Sequence, residues 1–221
     1  MDKKIYLNSF YSASLAVFAP LFIWGNTLSH IPWIFQKLEM NNSTLGYLFM
    51  IFSVVQLVFS QLAGRVIVPN LGSRFSLVIG LIFFSSTPIF FIFSNSINLF
   101  LFAAVPAGIG FGIINTTATA VTSVAENKTN KILQTYYSAF FSMGMLLGGL
   151  CSGLYRYLEF NSYILFFILI LFGLISTLFV FNFGLKKQYD EIEKTEKFKI
   201  PENKLLIYSL YLFLFFATVT A

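Results

Sequence analysis

Six long apolar stretches between about Ser9 and Leu185 constrain what this chain can fold into more than any other feature of its sequence. Each holds roughly the 20 residues that a helix rising ~1.5 Å per residue needs to cross a hydrocarbon core ~30 Å thick. The pattern predicts helices at about 9–34, 44–67, 75–94, 97–123, 135–158 and 162–184, with residues 205–221 starting a seventh that is cut short. The fold class expected is therefore an all-α membrane protein, with lipid as its solvent.

Composition excludes the main competitor. With 57% hydrophobic residues, 10% charged residues and 29 Phe among 221, the chain carries far more apolar side chain than one water-soluble core can hold. The formal charge of +5 does not point to nucleic acid, because the basic residues are scattered between apolar runs and form no continuous basic face. Cys151 is the sole cysteine, so no intrachain disulfide can form.

The basic residues report sidedness instead, since Lys and Arg stay preferentially on the cytoplasmic side. With the N-terminus inside, Lys3, Lys4, Arg65, Arg74, Lys128, Lys131, Lys186, Lys187, Lys194, Lys197, Lys199 and Lys204 fall inside and only Lys37 and Arg156 outside, 12 against 2. The expected topology is a multi-pass protein of the plasma (inner) membrane with a cytoplasmic N-terminus. The first apolar run is too long for a secretory leader and lacks small-residue cleavage chemistry, so it reads as an uncleaved helix. Trp33 and Pro32 mark its outer, interfacial end. Three regions are expected: a bundle over 1–185, a charged cytoplasmic linker over 186–204, and the start of a seventh span over 205–221. The linker carries six basic and five acidic residues; it reads either as a solvated strap on the acidic lipid surface or as a partner-binding helix.

Every acid falls in a predicted loop or terminus, which leaves no carboxylate inside the membrane to carry a proton. One His and one Cys, far apart, make neither a metal site nor a nucleophile–base pair, so neither an enzyme nor a cofactor is expected. What remains inside the membrane is uncharged polarity at helical spacing: Asn26 and His30; Ser53, Gln56 and Ser60; Asn115, Thr119 and Thr122. These stripes read either as the lining of one solute cavity or as interhelical hydrogen bonds. Small-residue stripes follow on the fourth and fifth helices, at Ala104, Gly108, Gly112 and Thr116 and at Gly144, Gly148 and Ser152, and predict close backbone approach. Pro20, Pro88 and Pro106 predict kinks or broken turns.

Six helices, a charged inside linker and the start of a seventh helix resemble the N-terminal half of the major facilitator superfamily, whose full members have two six-helix bundles. The segment from Gly64 through Arg65, Pro69 and Gly72 to Arg74 resembles that superfamily's inside-loop signature, without its Asp and with one extra residue between the two glycines. Trp24 to Pro32, Gly108 to Asn115 and Tyr136 to Gly144 resemble the fucose-permease-related sugar-transporter branch, with Asn115 where an acid is common there and His30 where an Arg is common. The resemblance implies a six-helix bundle built as a 3+3 inverted repeat and a secondary transporter moving a small solute, with a sugar as one candidate, by alternating access. It implies solute contacts from Asn26, His30, Gln56, Asn115, Thr119 and Tyr137, and an inside gate at Gly64, Gly72 and Arg74. The partners implied are the lipid bilayer, a small-molecule solute and a second six-helix half, from the same chain or another subunit. A non-transporting membrane scaffold or assembly subunit is the reading from a different class.

Overall fold

In hydrocarbon every peptide group must find its partner inside the chain, and a helix is the local way to do so. The computed structural model describes residues 2–189, and among them six helical spans are long and apolar enough to cross a bilayer: Lys3–Ser29, Ser43–Leu71, Ser73–Phe93, Ile97–Thr129, Gln134–Tyr157 and Ser162–Phe183. They are called spans 1 to 6. Beyond Tyr189, the remainder of the expected linker and the expected seventh span lie outside the described residues.

Local chemistry accounts for where the spans end and break. Span 1 stops at Ser29, a turn at His30 follows, and Pro32 starts a separate short helix, Ile31–Leu38, which closes on Glu39 in the left-handed conformation (φ 51°). Sequence reading merges this short helix into the first span, because the polar segment from Asn26 to His30 is short and apolar residues resume at Ile31. Its Trp33 ring meets Tyr163 edge-on at 5.5 Å, and Lys37 donates to the Ile92 carbonyl at 3.2 Å, so it lies across the ends of spans 3 and 6. Asn41, Ser96 and Asn161 cap spans 2, 4 and 6 by accepting backbone N–H groups of the first turn. Pro88 and Pro20 sit inside continuous helices, whereas Pro106 leaves the Phe102 carbonyl without its i+4 donor at the one-residue interruption of span 4 around Ala103.

Span 2 contains a π-helical turn, Ala63–Ile67, directly before Pro69. A turn closed from residue i to i+5 holds one residue more than an α-turn. The helix then ends at Gly72, whose φ of 83° and ψ of 160° belong to a region open in practice to glycine alone.

Span 1 packs on spans 5 and 6, span 4 packs on spans 2 and 3, and spans 1 and 4 meet each other at the centre. Exchanging spans 1–3 with spans 4–6 therefore reproduces the contact pattern, and because each triplet begins on the opposite side of the membrane the repeat is inverted. The bundle is the expected 3+3 arrangement. Glycines set its closest crossings. A Cβ on Gly108 would stand 2.8 Å from the Phe52 carbonyl oxygen, on Gly112 2.6 Å from that of Gln56, and on Gly144 2.7 Å from that of Phe18; on Gly148 it would overlap the Phe22 carbonyl. Phe84, Phe91, Phe100 and Phe166 fill the interior, fully buried.

Most intramembrane hydroxyls are satisfied within their own helices. Thr27, Thr117, Thr122 and Thr177 donate to the carbonyls of Ile23, Ile113, Ala118 and Gly173, each one turn earlier, at 2.7–2.9 Å. The stripes are thus less a web between helices than a set of local bonds; Ser60 and Thr116 join spans 2 and 4, and Thr119 and Ser152 also reach across to other segments.

Four segments meet at one end of the bundle: Ile5 and Asn8 stand beside Lys186 and Tyr189, Leu7 and Phe10 beside Lys131 and Leu133, and the Lys187 ammonium donates to the Asn70 carbonyl at 2.6 Å. The opposite end gathers His30, Lys37, Ile92 and Arg156. Among the described residues the first end holds Lys3, Lys4, Arg65, Arg74, Lys128, Lys131, Lys186 and Lys187.

Candidate functional site

The close glycine crossings hold five spans around a small apolar pocket. Gly25 lets span 1 touch the Met145 carbonyl region of span 5, and Gly108 lets span 4 touch Phe52 of span 2. Those crossings converge the side chains of Leu21, Trp24, Phe52, Phe84, Phe111, Phe141 and Met145 on a pocket of about 190 Å³. Trp24 stacks on Phe52 at 5.0 Å with an 18° interplanar angle, and Phe111 approaches Phe52 at 6.1 Å and Phe141 at 6.3 Å. An apolar cavity of about 150 Å³ is enough to take up benzene. This pocket therefore has room for one aromatic ring system, met by ring faces, ring edges and a polarizable thioether.

One turn along spans 4 and 5 the lining becomes polar. Asn115 lies four residues beyond Phe111 and Tyr137 four before Phe141, so helical geometry puts each pair on one face. The Tyr137 hydroxyl donates to the Asn115 amide oxygen at 3.3 Å, and the Thr119 hydroxyl stands 3.5 Å from the Tyr137 oxygen while donating to the Asn115 carbonyl at 2.8 Å. Tyr137 is buried, Asn115 half-buried and Thr119 exposed, so the group opens from the packed interior to the bundle surface. Its two bonds between side chains are long, at 3.3 and 3.5 Å, and long bonds between neutral groups are readily exchanged for those of an incoming polar group.

The other predicted contacts lie elsewhere. Asn26 on span 1 and His30 in the turn after it are fully buried, and His30 meets spans 5 and 6: its Nδ1 faces the Asn26 backbone carbonyl at 3.2 Å and the Ser152 hydroxyl at 2.5 Å, and its ring meets Phe166 edge-on at 5.6 Å. Asn26 donates to the Phe22 carbonyl at 2.8 Å. Gln56 is half-buried on span 2, its backbone carbonyl against Gly112. The structure brings Asn115, Thr119 and Tyr137 into one group and sets Asn26 with His30 in another, and the aromatic pocket includes none of the three amides.

At the lysine-rich end, Gly72 and Arg74 are held by the chain that follows span 6. The Lys187 side chain covers Gly72, and a Cβ there would meet it at 3.1 Å. The Arg74 guanidinium lies 4.6 Å over the Phe181 ring. Gly64, in the π-turn, faces the Thr116 methyl across ordinary van der Waals space of 3.6 Å.

Sequence reading missed the aromatic pocket. With 29 Phe in the chain, no single ring stands out, and an i, i+4 pair of aromatics is as common in a core as in a site. The available signal was the abutment of Phe111 with Asn115 on one helix and Phe141 with Tyr137 on the next.

Residues 13–221 match the family profile described as Major Facilitator Superfamily. Multidrug resistance protein 1 of Bacillus subtilis (strain 168) is 27% identical over 184 residues, which cover 80% of this chain and 45% of that protein. Multidrug resistance protein 2 of the same organism is 28% identical over 125 residues, 56% of this chain and 31% of that protein. The chain thus spans about half the length of the relatives it matches.

Proposed function

Because this chain belongs to the Major Facilitator Superfamily, with a match that runs from residue 13 to residue 221, we propose that it supplies the N-terminal six-span half of a secondary carrier for lipophilic, aromatic organic solutes. The half works by alternating access against a second six-span half, in the same chain or in a partner subunit, in the plasma membrane with the N-terminus inside. The observation that carries the reading is the aromatic pocket among spans 1 to 5. Such a pocket rewards removal of an aromatic ring from water and offers almost nothing to a hydroxyl-rich molecule, which needs several fixed hydrogen-bond partners to replace its hydration. Asn115, Thr119 and Tyr137 then anchor one polar group on the same solute. Both relatives bear the name multidrug resistance protein, which agrees with an aromatic-lined site more than with the sugar implied by the fucose-permease-like stretches.

In this reading Asn26 and His30 join spans 1, 5 and 6 at the outer end, and Gln56 sits at the crossing of spans 2 and 4. Gly72 and Arg74, braced by Lys187 and Phe181, form the inside hinge, with the π-turn at Gly64 as its flexible partner.

Transport by the full-length chain in proteoliposomes tests the proposal. A fluorescent lipophilic cation should move and a radiolabelled hexose should not. Phe111→Ala and Phe141→Ala should each raise KM several-fold, as loss of an aromatic contact worth about 0.5–1.5 kcal/mol beyond its buried area implies, with expression retained. Hexose transport with unaltered kinetics in both variants would refute the aromatic-solute reading.

A further inference from the structure

Span 6 ends at Phe183, and the chain then turns back toward span 1. Gly184 takes an extended conformation (φ −62°, ψ 155°), Leu185 is buried, and a 3-10 turn over Lys187–Tyr189 is closed by the Tyr189 N–H donating to the Lys186 carbonyl at 2.9 Å. This turn divides the labour of two adjacent lysines. Lys187 reaches away to the Asn70 carbonyl, while Lys186 lines a separate pocket of about 200 Å³ with Ile5, Asn8, Asn182, Phe183, Gly184 and Tyr189. Its lining combines the apolar Ile5 and Phe183 with a lysine, a tyrosine and two asparagines. Asn182 spends its amide nitrogen on the Leu178 carbonyl at 2.9 Å, which leaves its oxygen, and leaves Lys186, Asn8 and Tyr189 as the donors. No acid lines the pocket among the described residues. Lys4 lies one helical turn before Asn8, on the same face, and adds a second positive charge.

The position is as informative as the lining. The pocket lies between spans 1 and 6 at the ends of both, at the end of the bundle that is rich in lysine; the ends of membrane-length helices stand at headgroup depth in a bilayer. Basic pockets between membrane spans at that depth suit phosphate-bearing headgroups: the ammonium and hydroxyl meet the phosphate, and apolar residues such as Ile5 and Phe183 meet the glycerol and first methylenes. A zwitterionic headgroup gains less there, since its own cation opposes Lys186.

We propose that the pocket formed by Asn8, Lys186 and Tyr189 binds the phosphate of an anionic phospholipid headgroup. Native mass spectrometry of the full-length chain, titrated with phosphatidylglycerol or phosphatidylcholine, reads the site directly. Lys186→Gln should weaken the phosphatidylglycerol adduct about fivefold, the equivalent of ~1 kcal/mol for one lysine near the surface. Lys131→Gln, which removes a charge from the same end outside this pocket, should leave it unchanged, as should either variant with phosphatidylcholine. Asn8→Leu fills the pocket without altering charge and should also weaken the adduct. Equal effects of Lys186→Gln and Lys131→Gln would show mere surface attraction and overturn the proposal. Displacement of the lipid by inorganic phosphate at matching affinity would overturn the lipid assignment and leave a site for the free anion.

Discussion

Two glycines on span 5 differ in what a single added methyl group would meet, and alanine at each tests whether the crossing of spans 1 and 5 is as tight as the backbone places it. At Gly148 a Cβ would overlap the Phe22 carbonyl oxygen and stand 3.0 Å from its carbonyl carbon and 3.1 Å from its Cα. All three atoms are backbone, so relief requires moving a helix. Overpacking of this kind costs about 1–3 kcal/mol, offset in part by the ~0.5–1 kcal/mol that alanine gains over glycine in a helix. At Gly153 nothing stands within 4 Å, so the helix gain remains unopposed. Gly148→Ala should therefore destabilise and Gly153→Ala should stabilise or leave stability unchanged, although both lie on one helix and make the same chemical change. For a chain of this size 1 kcal/mol moves Tm by roughly 2–4 °C. Thermal unfolding in detergent, followed by size-exclusion fluorescence, should show Gly148→Ala several degrees below the parent and Gly153→Ala at or above it. Equal Tm values for the two variants would refute the packing argument.

Glu126 accepts the backbone N–H groups of Leu133 and Gln134 at 2.8 Å each; Glu126→Ala should cost about 1–3 kcal/mol and speed hydrogen exchange at those two amides, and unchanged exchange would contradict the cap. Gly72→Ala places a side chain at φ 83° and ψ 160° and should lower stability by about 1–3 kcal/mol, whereas Gly64→Ala, whose Cβ would meet the Thr116 methyl at an ordinary contact distance of 3.6 Å, should be close to neutral in the same unfolding assay. In a Cys151→Ser background, cysteine at Asn95 should react with an impermeant maleimide from outside, and cysteine at Ile132 only after permeabilisation; the reverse pattern would overturn the N-inside topology.

The spans were legible because twenty apolar residues in a row have one use, and their order around the bundle followed once the inverted repeat was recognised. The glycine stripes were legible for a related reason: Gly108 with Gly112 and Gly144 with Gly148 repeat every four residues, and that spacing has few purposes other than backbone contact. Ends and irregularities were harder to read. Glu126 sits in the last turn of span 4 rather than in a loop, because its carboxylate is held by the start of span 5, a partner that no local pattern announces. The turn at His30 was hidden because Asn26 and His30 stand at helical i, i+4 spacing and apolar residues resume at Ile31. Of the candidate site, Asn115 and Thr119 could be picked out by polarity inside an apolar helix, and Tyr137 by the family resemblance of the stretch from Tyr136 to Gly144. Asn26 shares that polarity and lies in a different place, since polarity fixes the need for a partner and not its direction. Trp24, Phe52, Phe84, Phe111 and Phe141 were invisible as a group because they come from five helices and only packing assembles them.

Trp24 stands in the wall of the proposed solute pocket, stacked on Phe52, and so reports occupancy directly. In the 221-residue chain carrying Trp33→Phe, which leaves Trp24 as its one tryptophan, titration with an aromatic lipophilic solute should quench the emission saturably. Trp24→Phe should remove the signal, Phe111→Ala should weaken the apparent affinity several-fold, and a hexose should neither quench nor compete. A saturable response that survives Trp24→Phe, or a hexose that competes for the same signal, would contradict the assignment of this pocket to aromatic solutes.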